Sequence, residues 1–143
     1  MSEESVGQAI NRAARLARRL MDRRLADLGL SSGHLPVLTA LMEREPLSQK
    51  ALVDHAGIEQ PTMAATLGRM ERDGIITRWP NPTDKRTLLY ALSPQVREKA
   101  EAIRSAIDGI NDTVGNSLTV EDLNNFRRIL RTMAQSLGKA LDE

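Results

Sequence analysis

Cysteine is absent from all 143 residues, which excludes disulfides, thiol redox sensing and thiolate-bound zinc. Aromatic side chains are nearly absent too, with only Trp79, Tyr90 and Phe126. A core must therefore be built from Leu, Ile, Met, Val and Ala, which suits packed helices better than a β-sandwich. No apolar run approaches the ~18 residues that a membrane span needs. The N-terminal segment has no apolar signal core, so a cytoplasmic protein without a membrane partner is expected. Neither charge dominates, the balance being +1, and bulk electrostatics argue neither for nor against a nucleic-acid partner. Also missing are a nucleophile–base pair, a phosphate loop and a metal-ligand cluster. His34 and His55 are far apart, and Gly57 interrupts the chain between His55 and Glu59. An enzyme, a metal site and a cofactor are not expected.

What is present is a compact run of turn signals between residues 47 and 94. Ser48 is a good N-cap for a short helix ending at Ala56, with Leu47 and Leu52 at the spacing of a hydrophobic staple. Gly57 supplies the left-handed turn that ends it. A second helix begins at Gln60 and Pro61, where a missing N–H is harmless, and stops at Gly74. Two strands follow, predicted over 75–79 and 87–92. The connection over 80–86 is rich in turn formers and ends in Lys85 and Arg86. Helix, turn, helix and basic hairpin together are a DNA-reading arrangement. The expected fold class is mainly α with a small β-hairpin wing: a winged helix-turn-helix domain flanked by dimerisation helices.

The flanks are amphipathic. A first helix is predicted over 6–28, with Val6, Ile10, Ala13, Ala17 and Leu20 on its apolar face, and a second to about residue 44 with Leu35, Leu38 and Leu41 inward. Six arginines against one aspartate lie in residues 12–24. After the hairpin, Ser93 and Pro94 start a helix predicted to reach Gly115, and Thr119 caps a last one. There Leu123, Phe126, Leu130, Met133, Leu137 and Leu141 advance by 3, 4, 3, 4 and 4, close to a heptad seam, which needs a partner. The expected division is 1–29 for dimerisation, 30–94 for DNA binding and 95–143 for dimerisation, in a homodimer.

In the second module helix, Met63, Leu67 and Met70 share one face and should pack inward. The opposite face offers Thr62, Ala65, Thr66 and Arg69, with Gln60 and Pro61 leading. Gln can pair with adenine, Thr can offer a hydroxyl or a methyl, and backbone N–H groups can meet phosphate. Arg78 and Lys85 suit phosphate contacts, as do Gln49 and Lys50 at the start of the first module helix.

The stretches 58–63, 69–74 and 81–86, with Asp84 and Arg86 in an Asp-x-Arg pattern, resemble the MarR family of bacterial transcription regulators in order and spacing. The resemblance extends more loosely to 33–38. It departs at Ala65, where many such sequences carry Asn or Arg. A methyl can touch thymine but offers no hydrogen bond. The resemblance implies a dimer that binds a palindromic double-stranded operator, with Arg86 entering the minor groove and Asp84 holding its guanidinium. It further implies a repressor released by a small anionic or phenolic ligand between dimerisation helices and DNA module. Arg15, Arg18, Met21, His34 and Met42 are candidates for holding that ligand. The alternative is a winged-helix protein–protein interaction module that does not bind DNA; Asp84, Lys85 and Arg86 favour the first reading.

Overall fold

A computed structural model describes residues 3–143. Its elements are α1 (Val6–Ala26), a 3-10 turn (Ser32–His34), α2 (Leu35–Glu43), β1 (Leu47–Ser48), α3 (Gln49–Ala56), α4 (Gln60–Arg72), β2 (Ile76–Asn81), β3 (Asp84–Leu92), α5 (Pro94–Glu98), α6 (Ala100–Gly115) and α7 (Val120–Leu141). Two compact units divide the chain, the first ending at Ala106 and the second running from Ile107 to Glu143.

The helix-turn-helix forms as its turn chemistry dictates. Ser48 Oγ accepts the Ala51 N–H at 3.1 Å, satisfying one orphan donor of α3. Gly57 adopts φ 66° and ψ 27°, and its N–H closes on the Val53 carbonyl. No atom lies within 4 Å of where a Gly57 side chain would begin, so the left-handed backbone alone requires glycine there. At the end of α4, Gly74 at φ 75° lets the Ile75 N–H return to the Met70 carbonyl, the long bond of a Schellman motif. Met63, Leu67 and Met70 point inward and are buried, as their spacing predicts. They share the core with Leu52 of α3, with Val37, Leu38, Ala40 and Leu41 of α2, and with Ile76 of β2.

The sheet is larger than the sequence suggests. It has three antiparallel strands in the order β1-β3-β2, with Leu47 opposite Tyr90 and Ile76 opposite Leu92. β1 has no pattern of its own, being two residues long and merging directly into α3. Beyond it, Glu45 extends the edge with its side chain: the carboxylate accepts the Leu92 N–H at 2.9 Å and binds Arg97 through its other oxygen. The hairpin is also longer than predicted. Its strands run through most of the expected loop, leaving Pro82 and Thr83 as the turn, with Asn81 opposite Asp84 and a register shift after Pro80. Asn81 Oδ1 accepts from both the backbone and the hydroxyl of Thr83. That side chain stabilises a tight turn where no glycine is present.

α1 buries Met21 and Leu25 in the core of the first unit and leaves Val6, Ala13 and Ala17 exposed, with Ile10 and Leu20 half-buried. The helix predicted over 94–115 is broken in two: the Lys99 N–H bonds back to the Val96 carbonyl in a tight turn between α5 and α6. In the second unit, α7 buries none of its residues, and Phe126, Ile129, Leu130, Leu137 and Leu141 are exposed.

His34 is half-buried on the α1–α2 connection, where its Nδ1 accepts the Ser31 N–H at 3.1 Å. Burial pushes the imidazole pKa below its usual 6.5; Asp73 opposes that shift and Arg69 reinforces it. As pH falls through about 6.5, the unfolded chain takes up this proton before the folded one does, so the folded state loses stability until its own lower pKa is passed. Melting temperature should therefore fall between about pH 7.5 and 5.5, and His34→Gln should flatten that slope. Parallel pH–melting profiles for the two proteins would contradict this role.

Candidate nucleic-acid interface

The inward packing of α4 leaves its other face open. Gln60, Pro61, Thr62, Ala65 and Arg69 are exposed, and Thr66 is half-buried beside them. α3 and α4 come together at their N-termini, where Gln49 Nε2 donates to Gln60 Oε1 at 3.0 Å. Lys50 stands exposed next to Gln49. The start of each helix carries unsatisfied N–H groups and a positive dipole end, the usual setting for an anion such as phosphate.

The wing extends this surface. A groove of about 450 Å³ opens between Ser48, Gln49 and Lys50 at the start of α3 and Asp84, Arg86 and Tyr90 of β3. Asp84, Arg86, Thr87, Leu88 and Tyr90 of β3 line it together, the register shift near the turn breaking strict alternation along the strand, and Lys85 stays outside it. Asp84 Oδ1 accepts from both the backbone N–H of Arg86, at 3.1 Å, and its Nε, at 3.3 Å. The Arg86 side chain is nevertheless 92% exposed. Its guanidinium is thus oriented at the root and free at the end, with donors left for an incoming group. Gln49, Lys50, Asp84 and Arg86 come together in one concavity, and Gln60 joins them through Gln49.

Arg78 stands differently. Its Nε lies 2.7 Å from Glu71 Oε2 in the last turn of α4, which ties the base of the wing to the end of that helix. Local spacing gave no sign of Glu71, because the Gly74 turn is what folds β2 back beside α4. Ser48, Asn81 and Tyr90 also line the groove, as strand-edge or turn residues whose place is decided by the sheet.

The five candidate ligand residues are spread over the first unit. Arg15 lines a shallow groove on α1 with Glu4, Gln8 and Arg12. Arg18 lies within electrostatic reach of Asp22, whose carboxyl is held below its usual value chiefly by hydrogen bonds from Ser32. Met21 is part of the core. His34 is held by Ser31, and Met42 lines a separate cavity of about 280 Å³ with Thr39, Glu43 and Arg104.

An exposed ion pair contributes about 1 kcal/mol or less, so Glu71→Gln should leave the melting temperature nearly unchanged while freeing Arg78 for other anions. On a heparin column the variant should elute at higher salt than the wild type. The shift should exceed that of Glu59→Gln, an exposed acid of the same charge at the opposite end of α4. Equal shifts for the two variants would mean that Arg78 was never restrained by Glu71.

A sequence model described as the MarR family matches residues 28–87. Among solved structures, the chain is similar to MepR of S. aureus, determined as a DNA complex, at 21% identity and a TM-score of 0.84, over 94% of this chain and 99% of that one. It is also similar to a probable transcriptional regulator from Pseudomonas aeruginosa, at 25% identity and a TM-score of 0.78, over 91% and 97% of the two chains. Against BpsR of Bordetella bronchiseptica the values are 23% and 0.80, over 92% and 94%; that structure concerns regulation of DNA binding by 6-hydroxynicotinic acid. The family match lies on the helix-turn-helix and the start of the wing, and the fold that this chain shares with solved MarR-type regulators extends over more than nine-tenths of it.

Proposed function

We propose that the chain is a dimeric, sequence-specific DNA-binding regulator of transcription, working in the cytoplasm as a repressor that a small molecule releases. The observation that carries the reading is the wing: a carboxylate orients an arginine whose guanidinium is otherwise fully presented to solvent. An isolated surface Asp would repel a polyanion, and here it acts instead to aim the cation. α4 would lie in the major groove with Gln60, Thr62, Ala65 and Thr66 toward base edges, and Arg69 and Lys50 toward phosphate. Arg86 would enter the adjoining minor groove, whose negative potential is strongest where A·T pairs narrow it. MepR was determined bound to DNA, and BpsR responds to an aromatic carboxylic acid, which supports the same partners here. An interaction module without DNA would give no reason for the exposed, preoriented Arg86.

Residues 1–29 and 95–143 would supply the dimer contacts. Phe126 and Leu130 are 45% and 39% exposed on α7, at the heptad spacing a second helix would cover. A two-fold dimer would present its two α4 helices about one turn of DNA apart, ~34–36 Å, and so select a palindrome. The test begins with a gel shift on duplexes from the region around its own gene, with an unrelated duplex as competitor. Failure to bind any duplex in preference to the competitor would refute the function.

Two variants probe the parts separately. Arg86→Ala should weaken operator binding at least tenfold while shifting stability by no more than about 0.5 kcal/mol, because its side chain contacts little of the fold. Wild-type affinity in a fluorescence-anisotropy titration would remove the wing from the reading surface. Leu130→Asp should dissociate the dimer, since a buried Leu contributes about 2–5 kcal/mol and an unpaired carboxylate would stand in its place. Light scattering at micromolar concentration should give twice the chain mass for wild type and not for the variant. A variant that keeps the wild-type mass would place the interface elsewhere.

A further inference from the structure

The most specific hydrogen bond on the exposed surface of the helix-turn-helix joins two amides. Gln49 and Gln60 are the first residues of α3 and α4, and Gln49 Nε2 donates to Gln60 Oε1 at 3.0 Å. Both stand at the end of the module where α4 begins, and Gln60 is exposed. The bond fixes which way the Gln60 amide faces. It uses one of two lone pairs on Oε1 and leaves both N–H groups of Nε2 unused.

We propose that Gln49 and Gln60 act as a single adenine-reading unit, with Gln60 touching the base and Gln49 as the positioning residue that orients its amide. This rests on the DNA-binding function proposed above. Adenine shows an N6–H donor and an N7 acceptor in the major groove. The free lone pair of Gln60 Oε1 meets the donor, and a Gln60 N–H meets N7. Guanine shows two acceptors at the same edge, O6 and N7. A freely turning glutamine can offer both of its N–H groups to guanine. One whose oxygen is fixed toward the base places that oxygen against O6 and rejects it. Discrimination is therefore set by Gln49, which need not touch a base.

The rest of the leading end of α4 leaves this task to Gln60. Pro61, Ala64 and Ala65 have no side-chain hydrogen-bonding groups, and the hydroxyls of Thr62 and Thr66 make single contacts. Gln60 is the one side chain in the first two turns that can form the bidentate pair with adenine. The remaining N–H and the carbonyl of Gln49 stay available for phosphate or water.

The test is selection from a library of random duplexes with wild type, Gln49→Ala and Gln60→Ala, followed by titration of the enriched duplex. Wild type should enrich adenine at one symmetry-related position in each half-site. Replacing that adenine by guanine should weaken binding between roughly 5- and 150-fold, the range of one bidentate base contact. Substituting 7-deazaadenine, which lacks the N7 acceptor, should weaken it as well. Gln60→Ala should erase the preference at that position alone. Gln49→Ala should bring adenine and guanine closer together, and the double variant should be no worse than Gln60→Ala. Melting curves of all variants should match wild type, since both side chains lie at the surface. If Gln60→Ala enriches the same sequences as wild type, or the two substitutions act additively, the proposal falls while the regulator function stands. If wild type enriches no sequence, the function itself falls.

Discussion

The shared burial of Leu52, Met63, Leu67 and Met70 beneath α2 is the constraint on which the surface depends. Those side chains cannot leave the core without leaving a cavity, and losses of that kind cost about 2–5 kcal/mol each. Because they fix the rotation of α3 and α4 about their own axes, they also fix what the helices show to solvent. Gln60, Thr62 and Ala65 face outward because Met63 and Leu67 face inward. Gly57 completes the constraint by setting the angle between the two helices, so that their N-terminal amides meet.

The wing is attached to that frame at two places. At its base Glu71 holds Arg78, and at its edge Glu45 joins the end of β3 to Arg97. Nearer the tip, side chains take over from the ladder: Asn81 closes the turn and Asp84 aims Arg86. Acidic groups thus recur beside the cations of a surface suited to a polyanion. In each case the carboxylate restrains an arginine, trading some attraction for direction. On the proposed reading, a chain of net charge +1 would recognise DNA with few, placed cations, and nonspecific attraction would be limited accordingly.

The two units contrast in what they bury. The first closes a core around α2 and the sheet, whereas α7 keeps a row of large apolar side chains exposed at heptad spacing. Such a row leaves a surface for a partner to cover. In the proposed dimer a second copy would cover it and double the reading surface, so that folding and operator geometry would be linked through one set of contacts.

By itself, the sequence determined the helix-turn-helix, the inward methionine stripe of α4, the caps at Ser48, Gly57 and Gly74, and the presence of an Asp84–Arg86 wing. All of these depend on neighbours within a few residues, where backbone preference and periodicity act directly. Only the tertiary structure decided the rest. β1 exists because β3 offers it a ladder, Met21 and Leu25 are the residues of α1 that meet the core, and the α5–α6 break lies at Lys99 with no glycine or proline to mark it. The Glu71–Arg78 and Gln49–Gln60 pairs join residues seven and eleven apart across a turn. Their contact depends on the packing angle of whole elements, which no local pattern encodes.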